Sequence, residues 1–426
     1  MKGLFKTLLI LVFGIVIGTI LLLGVFSIPT DRIYRNVQDS VYIFEMEGTY
    51  PIINNQTGKV LDNYTDGLML SEALYDKKGA TVVEKAMAVY HPEITDFSPD
   101  RSLIIYVNSN SEYIEASYKR YWHGFLVILK PLLLCTNYLG IRGINRVLQF
   151  LMAVLVIFCL YRKKVRYAII PFILSYLFLR PKALGLSMQY STVYYITTLA
   201  ILILLLGRRK IERHNAYPWF FMIIGMFTSY FDFLTYPLVT LGLPLTLVML
   251  YQSEKKIIKV VEKIVGYSVM WGIGYVGMWG GKWLIGSILL KENLFMDAIN
   301  SIIFRSSNHF EDIKFTYWDV FKGNLRIGGF GIWGLGGVIV FGLLGVMIYR
   351  NRKNLKGVLL ESIPFLLIMT MPFFWYIVTA NHSFIHSSFT YRELVITVFA
   401  FLCMAFKELP TAKLESWITK QGAHKT

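Results

Sequence analysis

Long apolar runs recur from one end of the chain to the other, and they constrain its fold more than any other feature. The first run, at residues 4–26, is long enough to cross the hydrocarbon core of a bilayer, which takes about 20 helical residues. Of the whole chain, 55% is hydrophobic and only 16% is charged, which is too little charge for the surface of a soluble domain. The sequence therefore predicts an all-α polytopic membrane protein.

The formal net charge of +16 does not indicate nucleic-acid binding, because of where the basic residues lie. They form short clusters between apolar runs, such as residues 162–164 and 208–210, as the positive-inside rule expects of cytoplasmic loops. Alternation of these clusters with polar loops predicts about ten transmembrane helices in the cell (plasma) membrane, with both termini cytoplasmic. The predicted spans are residues 4–26, 147–160, 167–179, 193–206, 219–233, 238–250, 264–284, 332–348, 358–378 and 394–406.

One long polar segment divides the chain into unequal parts. We expect an N-terminal transmembrane helix at 1–28, an extracytoplasmic loop at 29–121 and an interfacial segment at 122–146, where Pro and charged residues interrupt the apolar pattern. A transmembrane bundle at 147–408, with an external loop at 291–328, and a cytoplasmic tail at 409–426 complete the predicted order. Within the polar loop, weak alternation at 102–107 favours a strand.

Two carboxylates are predicted catalytic candidates because they lie beside apolar sequence on the expected outer side. Asp66 is followed at once by an apolar run, and Asp232 lies among aromatic residues at the outer end of an apolar helix. An ionised carboxylate in such a place needs a partner or a metal. A structural ion pair is the alternative for Asp232. Asp62 belongs to an acidic cluster of a kind that is most often a solvated surface, and it is kept as an alternative acid.

Several donors on the same predicted side suit a phosphate. His382 and His386 have i, i+4 spacing and precede Arg392, whose planar guanidinium fits phosphate oxygens, while Arg120 and His123 lie where the polar loop re-enters the interface. Ordinary interfacial polar residues and an aromatic belt are the alternatives. No third ligand accompanies the histidines, so no metal site is predicted. Further candidates for this side are Arg180, Lys182 and Tyr391.

Three strings carry a resemblance to a known group of proteins. They are Tyr-x-Arg-Tyr-Trp-His-Gly at 118–124, Phe-Asp-Phe-Leu-Thr-Tyr-Pro at 231–237 and Asn-His-Ser…His…Thr-Tyr-Arg at 381–392. With the order of an N-terminal helix, a large acidic external loop and many spans, they resemble a bacterial branch of the GT-C superfamily of integral-membrane glycosyltransferases. Many members place the key acid soon after the first helix. Asp31 is nearest to that position here, whereas Asp66 lies well downstream.

The resemblance implies a membrane glycosyltransferase that uses a polyprenyl-phosphate-linked sugar. An external carboxylate, first of all Asp66, would act as base on an acceptor hydroxyl, and the arginines and histidines would neutralise the departing lipid phosphate. The acceptor would be a cell-envelope glycan, a lipid-linked glycan or a protein. A divalent cation between acid and phosphate is left open.

Two other functions fit the same sequence. A polysaccharide polymerase or ligase would share the architecture. A membrane transporter or flippase would show broken helices or related halves, and no convincing inverted repeat is found. No phosphate-binding G-x-x-x-x-G-K-[ST] loop is present in the sequence, which disfavours ATP-driven transport.

Overall fold

The computed structural model describes residues 2–55, 58–252, 254, 256–330, 342–346, 348–349, 352 and 354–407. About 76% of it is helical, which confirms the all-α class. The helices, numbered α1 to α21 in chain order, are Lys2–Phe26, Asp31–Gln38, Tyr42–Glu47, Asn63–Leu74, Val82–Ala88, Pro99–Asn108, Leu126–Cys135, Tyr138–Arg162, Ile169–Phe178, Pro181–Leu186, Met188–Arg213, Tyr217–Phe231, Val239–Leu250, Ile257–Leu290, Leu294–Ser306, Tyr317–Gly328, Leu355–Met369, Met371–Val378, Ala380–Ile385, Ser387–Thr390 and Val395–Lys407.

The remaining regular structure is small. Strands β1 (Tyr90–Glu93) and β2 (Ile114–Ser117) pair antiparallel with Tyr90 opposite Ser117, and β3 (His309–Phe310) pairs with β4 (Ile313–Lys314) in a short hairpin. Single 3₁₀ turns lie at Ile53–Asn55, Arg166–Ala168 and Tyr391–Leu394.

Five helical stretches in the described residues are long and apolar enough to cross a membrane. They differ in how much of their surface the protein itself covers: 17% of the most apolar window is buried in the first, Gly3–Phe26, and 83% in the last, Ser387–Lys407. Exposure of the apolar side chains of α1 to water would be unfavourable, so their position fits contact with lipid. The other three stretches are Tyr138–Arg162, Met188–Arg213 and Leu355–Val378.

Several predicted spans correspond to shorter apolar helices. The predicted spans 167–179 and 238–250 fall on Arg166–Phe178 and Val239–Leu250, which have 10–17 residues. The helix expected to start at 147 begins at Tyr138 instead, because the Asn137 side chain accepts a hydrogen bond from the backbone N–H of Gly140 and caps it there. The predicted span 332–348 and tail 409–426 lie largely or wholly outside the described residues.

The strand expected at 102–107 is wrong. Residues Pro99–Asn108 form helix α6, with Pro99 in its first turn and Asp100 beside it. Proline is preorganised for a first helical turn, and an acidic residue there interacts favourably with the helix dipole. These start signals, together with burial of Leu103, Ile104 and Val107, outweigh the weak alternation.

The polar segment folds as a helical layer against one end of the apolar helices. Helices α4 and α6 pack very closely within it, because a Cβ on Gly67 would lie 2.6 Å from the Cα of Asp100. Two lysines of the apolar helices reach into this layer: Lys130 donates to the carbonyl of Ala73 at 3.0 Å, and Lys282 to that of Met87 at 2.9 Å. Each carbonyl lies in the last turn of its helix, where acceptors lack intrahelical partners.

Glycine sets the distance between α12 and α14. A Cβ on Gly225 would lie 2.1 Å from the carbonyl oxygen of Trp271, and one on Gly274 would lie 2.0 Å from that of Met222. Small residues permit this approach of two backbones in membrane helices. The contact fixes the end of α12, and with it the loop that carries Asp232.

Candidate functional site

Asp66 lies at the junction between the polar layer and α11. It is fully buried. One carboxylate oxygen accepts from the backbone N–H of Met188 at 2.9 Å and from the Tyr138 hydroxyl at 2.7 Å. The other accepts from the backbone N–H of Gln189 at 3.1 Å and from the Ser187 hydroxyl at 3.3 Å.

These contacts make Asp66 a cap for α11 that comes from another helix. Backbone N–H groups at a helix start lack partners and carry partial positive charge. Burial raises the pKa of the Asp66 carboxyl, while the hydrogen bonds from Tyr138 and Met188 lower it. Four donors occupy the four lone-pair positions of a carboxylate, so its oxygens are saturated.

Asp62 lies one turn earlier and has free acceptor capacity. Its two oxygens accept from the backbone N–H and the hydroxyl of Thr65, at 2.9 and 3.0 Å, which caps α4 and leaves one lone pair on each oxygen. It is 4% exposed. Burial raises the pKa of the Asp62 carboxyl to about 7, and nearby Asp66 and Asp100 also raise it. A carboxylate with a pKa near neutrality suits a general base.

Arg392 is a buried cation that lies over the ring of Tyr190. It is fully buried, and its guanidinium carbon lies 4.0 Å from the ring centroid of Tyr190. Its only hydrogen bond among the described residues is a long one, 3.4 Å, from Nη1 to the carbonyl of Ser388, whereas Nε and Nη2 have no partner. A buried charge without a counterion is costly, which marks this guanidinium edge as a functional candidate.

Tyr190 connects the two sets of charges. Its phenol interacts electrostatically with Asp62, Asp66 and Arg392, and its hydroxyl has no hydrogen-bond partner in the described part of the chain. The backbone carbonyl of Tyr190 accepts from the Tyr236 hydroxyl. We call Asp62, Tyr190 and Arg392 the central site.

A turn of the polar layer closes over this site. The hydroxyl of Tyr391 donates to the carbonyl of Gly58 at 2.8 Å, and a Cβ on Gly58 would lie 3.4 Å from Nε of Arg180. Arg180 has a left-handed backbone, φ 58°, and its buried Nε has no partner among the described residues. A second partly buried arginine therefore lies close to the Arg392 side of the central site.

Two predicted phosphate ligands are already paired elsewhere. Nδ1 of His123 lies 3.0 Å from a carboxylate oxygen of Glu72, and Nε2 lies 2.7 Å from the Tyr118 carbonyl oxygen, so both ring nitrogens already have partners within the protein. Arg120 contacts both carboxylate oxygens of Asp297 at 3.1 Å. His123 therefore contacts α4 and Arg120 contacts α15, and neither residue contacts Asp62, Tyr190 or Arg392 in these hydrogen bonds.

The two histidines of the 381–392 string, His382 and His386, differ in their hydrogen-bond partners. Nη1 of Arg305 donates to Nδ1 of His382 at 2.6 Å, and Nε2–H of His382 donates to the Leu234 carbonyl at 2.7 Å. An arginine only donates and a carbonyl only accepts, which fixes His382 as the neutral Nε2–H tautomer with no spare donor. Burial, with a smaller effect of Arg305, lowers the pKa of His386 to about 4, and its ring stacks on Phe389.

Asp232 lies in the turn that carries Leu234. It accepts from the backbone N–H and the hydroxyl of Thr235. Burial raises the pKa of the Asp232 carboxyl to about 6, against the lowering effect of these hydrogen bonds. Its electrostatic partners include the fully buried carboxylate of Glu393, whose Oε2 has no hydrogen-bond partner in the described chain. Tyr236 interacts electrostatically with both Asp232 and Arg392, so this acidic pair borders the central site.

An apolar cavity of about 300 Å³ opens beside Asp66. Met69, one turn after Asp66, lines it together with Met188, whose backbone N–H binds Asp66, and its walls continue along α7, α8, α11 and α12. The one hydrogen-bonded polar pair in its lining is Tyr195 with Asn145, at 2.9 Å. A chain of methylene or isoprene units suits such walls.

The remaining sequence candidates lie at the surface. Asp31 is exposed in the first turn of α2, and Lys182 is exposed in α10. In the described part of the chain, no three His, Cys, Asp or Glu side chains are grouped closely enough to hold a metal ion. Tyr190 and Glu393 were not predicted from the sequence. Arg142 interrupts an apolar run, which is a signal that a buried ion pair could have been expected there.

Arg142 forms the buried ion pair that the interruption of the apolar run indicates. Its guanidinium binds both carboxylate oxygens of Glu47, at 2.8 and 2.9 Å, and the side-chain carbonyl of Asn63 at 3.0 Å. The interaction ties α8 to the start of α4, immediately next to Asp62. It therefore positions the acid of the central site.

Comparisons with protein-family models, with curated proteins and with solved structures give no match.

Proposed function

We propose that this chain is an integral-membrane glycosyltransferase of the GT-C type, which moves a sugar from a polyprenyl-phosphate donor to a glycan or other cell-envelope acceptor outside the cytoplasm. The observation that carries the proposal is the buried guanidinium of Arg392, whose Nε and Nη2 have no partner among the described residues. It lies over the ring of Tyr190, which also interacts with Asp62, a carboxylate of raised pKa. A phosphate would neutralise that arginine.

The apolar cavity beside Asp66 supplies the second requirement of such a substrate. A polyprenyl tail needs a hydrophobic path from the bilayer to its phosphate, and the cavity along α7, α8, α11 and α12 ends next to the residues that bind Asp66. Donor head group and tail would then be held by adjacent parts of one fold. The basic clusters between spans support a topology in which both termini are cytoplasmic and the central site lies on the opposite side.

In this proposal Asp62 takes the role that the sequence assigned first to Asp66. Asp66 has no lone pair to receive a proton, since four donors already bind it. Asp62 has one free lone pair per oxygen and a pKa of about 7. Asp66 is then a positioning residue, which fixes the start of α11 and so the place of Tyr190.

The reaction follows from these roles. Asp62 accepts the proton of an acceptor hydroxyl as its oxygen attacks the anomeric carbon, with inversion. The bond between that carbon and the phosphate oxygen breaks, and the phosphate leaves with the electron pair. Arg392, with Arg180 near it, offsets the charge that develops on the leaving group.

A lipid flippase is the alternative that the same observation favours, because a buried arginine and an apolar groove would also hold a lipid phosphate during translocation. A polymerase or ligase would use the same chemistry on a longer acceptor. The flippase differs from the proposed glycosyltransferase in one measurable respect: it moves the donor across the membrane without breaking the donor's sugar–phosphate bond.

The test uses the full chain in proteoliposomes with a panel of undecaprenyl-phosphate sugars carrying a radiolabel in the sugar. We expect release of undecaprenyl phosphate from one donor, falling about 10²–10⁴-fold in Asp62→Asn and strongly in Arg392→Gln. Asp96→Asn is the matched control, because Asp96 is an exposed acid of the same layer with a left-handed backbone that asparagine accepts.

Two results would overturn the proposal. Translocation of donor lipid without release of undecaprenyl phosphate would identify a flippase. Release that is equal in wild type, Asp62→Asn and Arg392→Gln would remove the central site from the chemistry.

A further inference from the structure

Two half-exposed tyrosines form a parallel pair on the polar layer. The rings of Tyr50 and Tyr64 have centroids 6.1 Å apart and planes inclined by only 8°. Tyr50 is 56% exposed and Tyr64 is 39% exposed. Large aromatic side chains that stay on a surface in a fixed arrangement mark binding sites more often than isolated exposed residues do.

The backbone around this pair is held in place. The backbone N–H of Asn63 donates to the carbonyl of Thr49 at 3.0 Å, which joins the two residues that precede the tyrosines. The Asn63 side chain donates in turn to Gly48 and Glu47, at 2.7 and 3.1 Å. The two rings therefore keep their relative position without a ligand, and binding would cost little ordering of the site.

Carboxylates lie directly behind the tyrosines. Both phenols interact electrostatically with Asp62 and with Asp100, and Tyr64 also interacts with the exposed Glu93. Asp100 is fully buried. Its Oδ2 accepts from the Thr49 hydroxyl at 3.0 Å, while its Oδ1 has no hydrogen-bond partner among the described residues.

An unpaired buried carboxylate oxygen needs a donor, because an unsatisfied buried acceptor is destabilising. A sugar ring offers both complements of this surface. Its C–H face carries partial positive charge and packs against the negative face of an aromatic ring, and its hydroxyls donate to carboxylates. A cation would be attracted to the carboxylates, but binding a cation would not require two parallel aromatic rings.

We propose that Tyr50, Tyr64 and Asp100 form a glycan-binding subsite that holds the acceptor sugar beside Asp62. The inference rests on the proposed function for its role in transfer, and it names the acceptor class: a glycan, in place of a protein side chain or a lipid alcohol. The subsite orients a hydroxyl toward Asp62, the residue shared by both tyrosine environments and the central site.

Binding can be measured without any transfer. Fluorescently labelled full-length protein in nanodiscs is applied to a printed array of bacterial oligosaccharides, and the apparent affinity for the retained glycans is then measured in solution. We expect Tyr50→Ala to weaken binding about five- to tenfold, which corresponds to about 1–1.4 kcal/mol for loss of one aromatic contact. Tyr50→Trp should restore it, and Asp100→Asn should weaken it.

Tyr42→Ala is the matched control, since Tyr42 is 46% exposed in the same layer. The subsite is refuted if no oligosaccharide is retained, or if Tyr50→Ala binds as wild type does. Hydrolysis of the labelled donor by water reports the central site independently of any acceptor. If the donor is hydrolysed but glycan binding does not depend on Tyr50, this subsite alone is rejected. If glycans bind but the donor is not turned over, the proposed function alone is rejected.

Discussion

Replacement of Asp66 by asparagine is expected to destabilise the protein, and replacement of Asp62 by asparagine is expected to leave stability nearly unchanged. Asp62 is the N-cap residue of α4, Asp66 lies in its first turn, and both are buried. They differ in what surrounds their oxygens: Asp66 receives four donors from two other helices, and Asp62 receives two donors from Thr65.

The size of the effect follows from those donors. Asparagine at 66 keeps one oxygen but turns an NH₂ group toward two of the four donors, so that two charge-assisted hydrogen bonds are lost and donors face donors. With each such bond contributing about 1.5–3 kcal/mol, we expect a loss of about 3–5 kcal/mol. At 62 the expected change is below about 1 kcal/mol, because asparagine and aspartate cap helices equally well.

The assay is thermal unfolding of the full chain in detergent, followed by intrinsic fluorescence and by the monodisperse peak in size-exclusion chromatography. Taking about 2 °C per kcal/mol for a large chain, Asp66→Asn should unfold about 6–10 °C below wild type. Asp62→Asn and the surface control Asp96→Asn should unfold within about 2 °C of wild type.

One outcome would refute the reasoning about Asp66. If Asp66→Asn unfolds at the wild-type temperature but loses sugar transfer, Asp66 carries no capping function and is itself the base, and the assignment to Asp62 fails. If Asp66→Asn is destabilised yet retains transfer below its unfolding temperature, the positioning role is supported.

Three other outcomes are expected. Transfer by the wild type should fall about tenfold per pH unit below pH 7 and level off above it, because Asp62 acts as a base only when ionised and its pKa is about 7; a rate independent of pH between 5 and 8 would contradict this. Gly274→Val should lower the unfolding temperature markedly, since a Cβ there would lie 2.0 Å from the carbonyl oxygen of Met222, and thermal unfolding beside Gly266→Val, which has open space, checks it. Arg142→Lys should cost about 1–3 kcal/mol by loss of the paired hydrogen bonds to Glu47, and an unchanged unfolding temperature would show that the pair adds nothing.

The helical class and most apolar helices could be predicted from the sequence, because the length of an apolar run is a local property that hydration alone decides. The approximate positions of α9, α12 and α13 in the sequence followed from their apolar runs in the same way. Helix starts were less accessible. The start of α8 depends on Asn137, and α6 depends on Pro99 and on burial of three apolar residues, so local alternation was a poor guide there.

Candidate residues were predicted by type and position, and their partners were not. The sequence placed Arg392, Asp62 and Asp66 on one predicted side of the membrane, and the structure brings all three around Tyr190. It gave no means of seeing that His123 is held by Glu72 or that His382 has both nitrogens in use. Those contacts join residues that are 51, 77 and 148 positions apart.

By itself, the sequence determined that this chain is a bundle of apolar helices with one long polar segment, because the cost of placing charge in lipid acts on each run separately. Only the tertiary structure decided which charged groups are satisfied and which are left unpaired. The hydrogen-bond capacity of Asp66 is filled by Tyr138 of α8 and by residues at the start of α11, whereas Nε and Nη2 of Arg392 have no partner among the described residues. The chemistry of a buried polar group depends on which hydrogen-bond partners it has. Those partners are set by the packing of helices that are distant in the sequence.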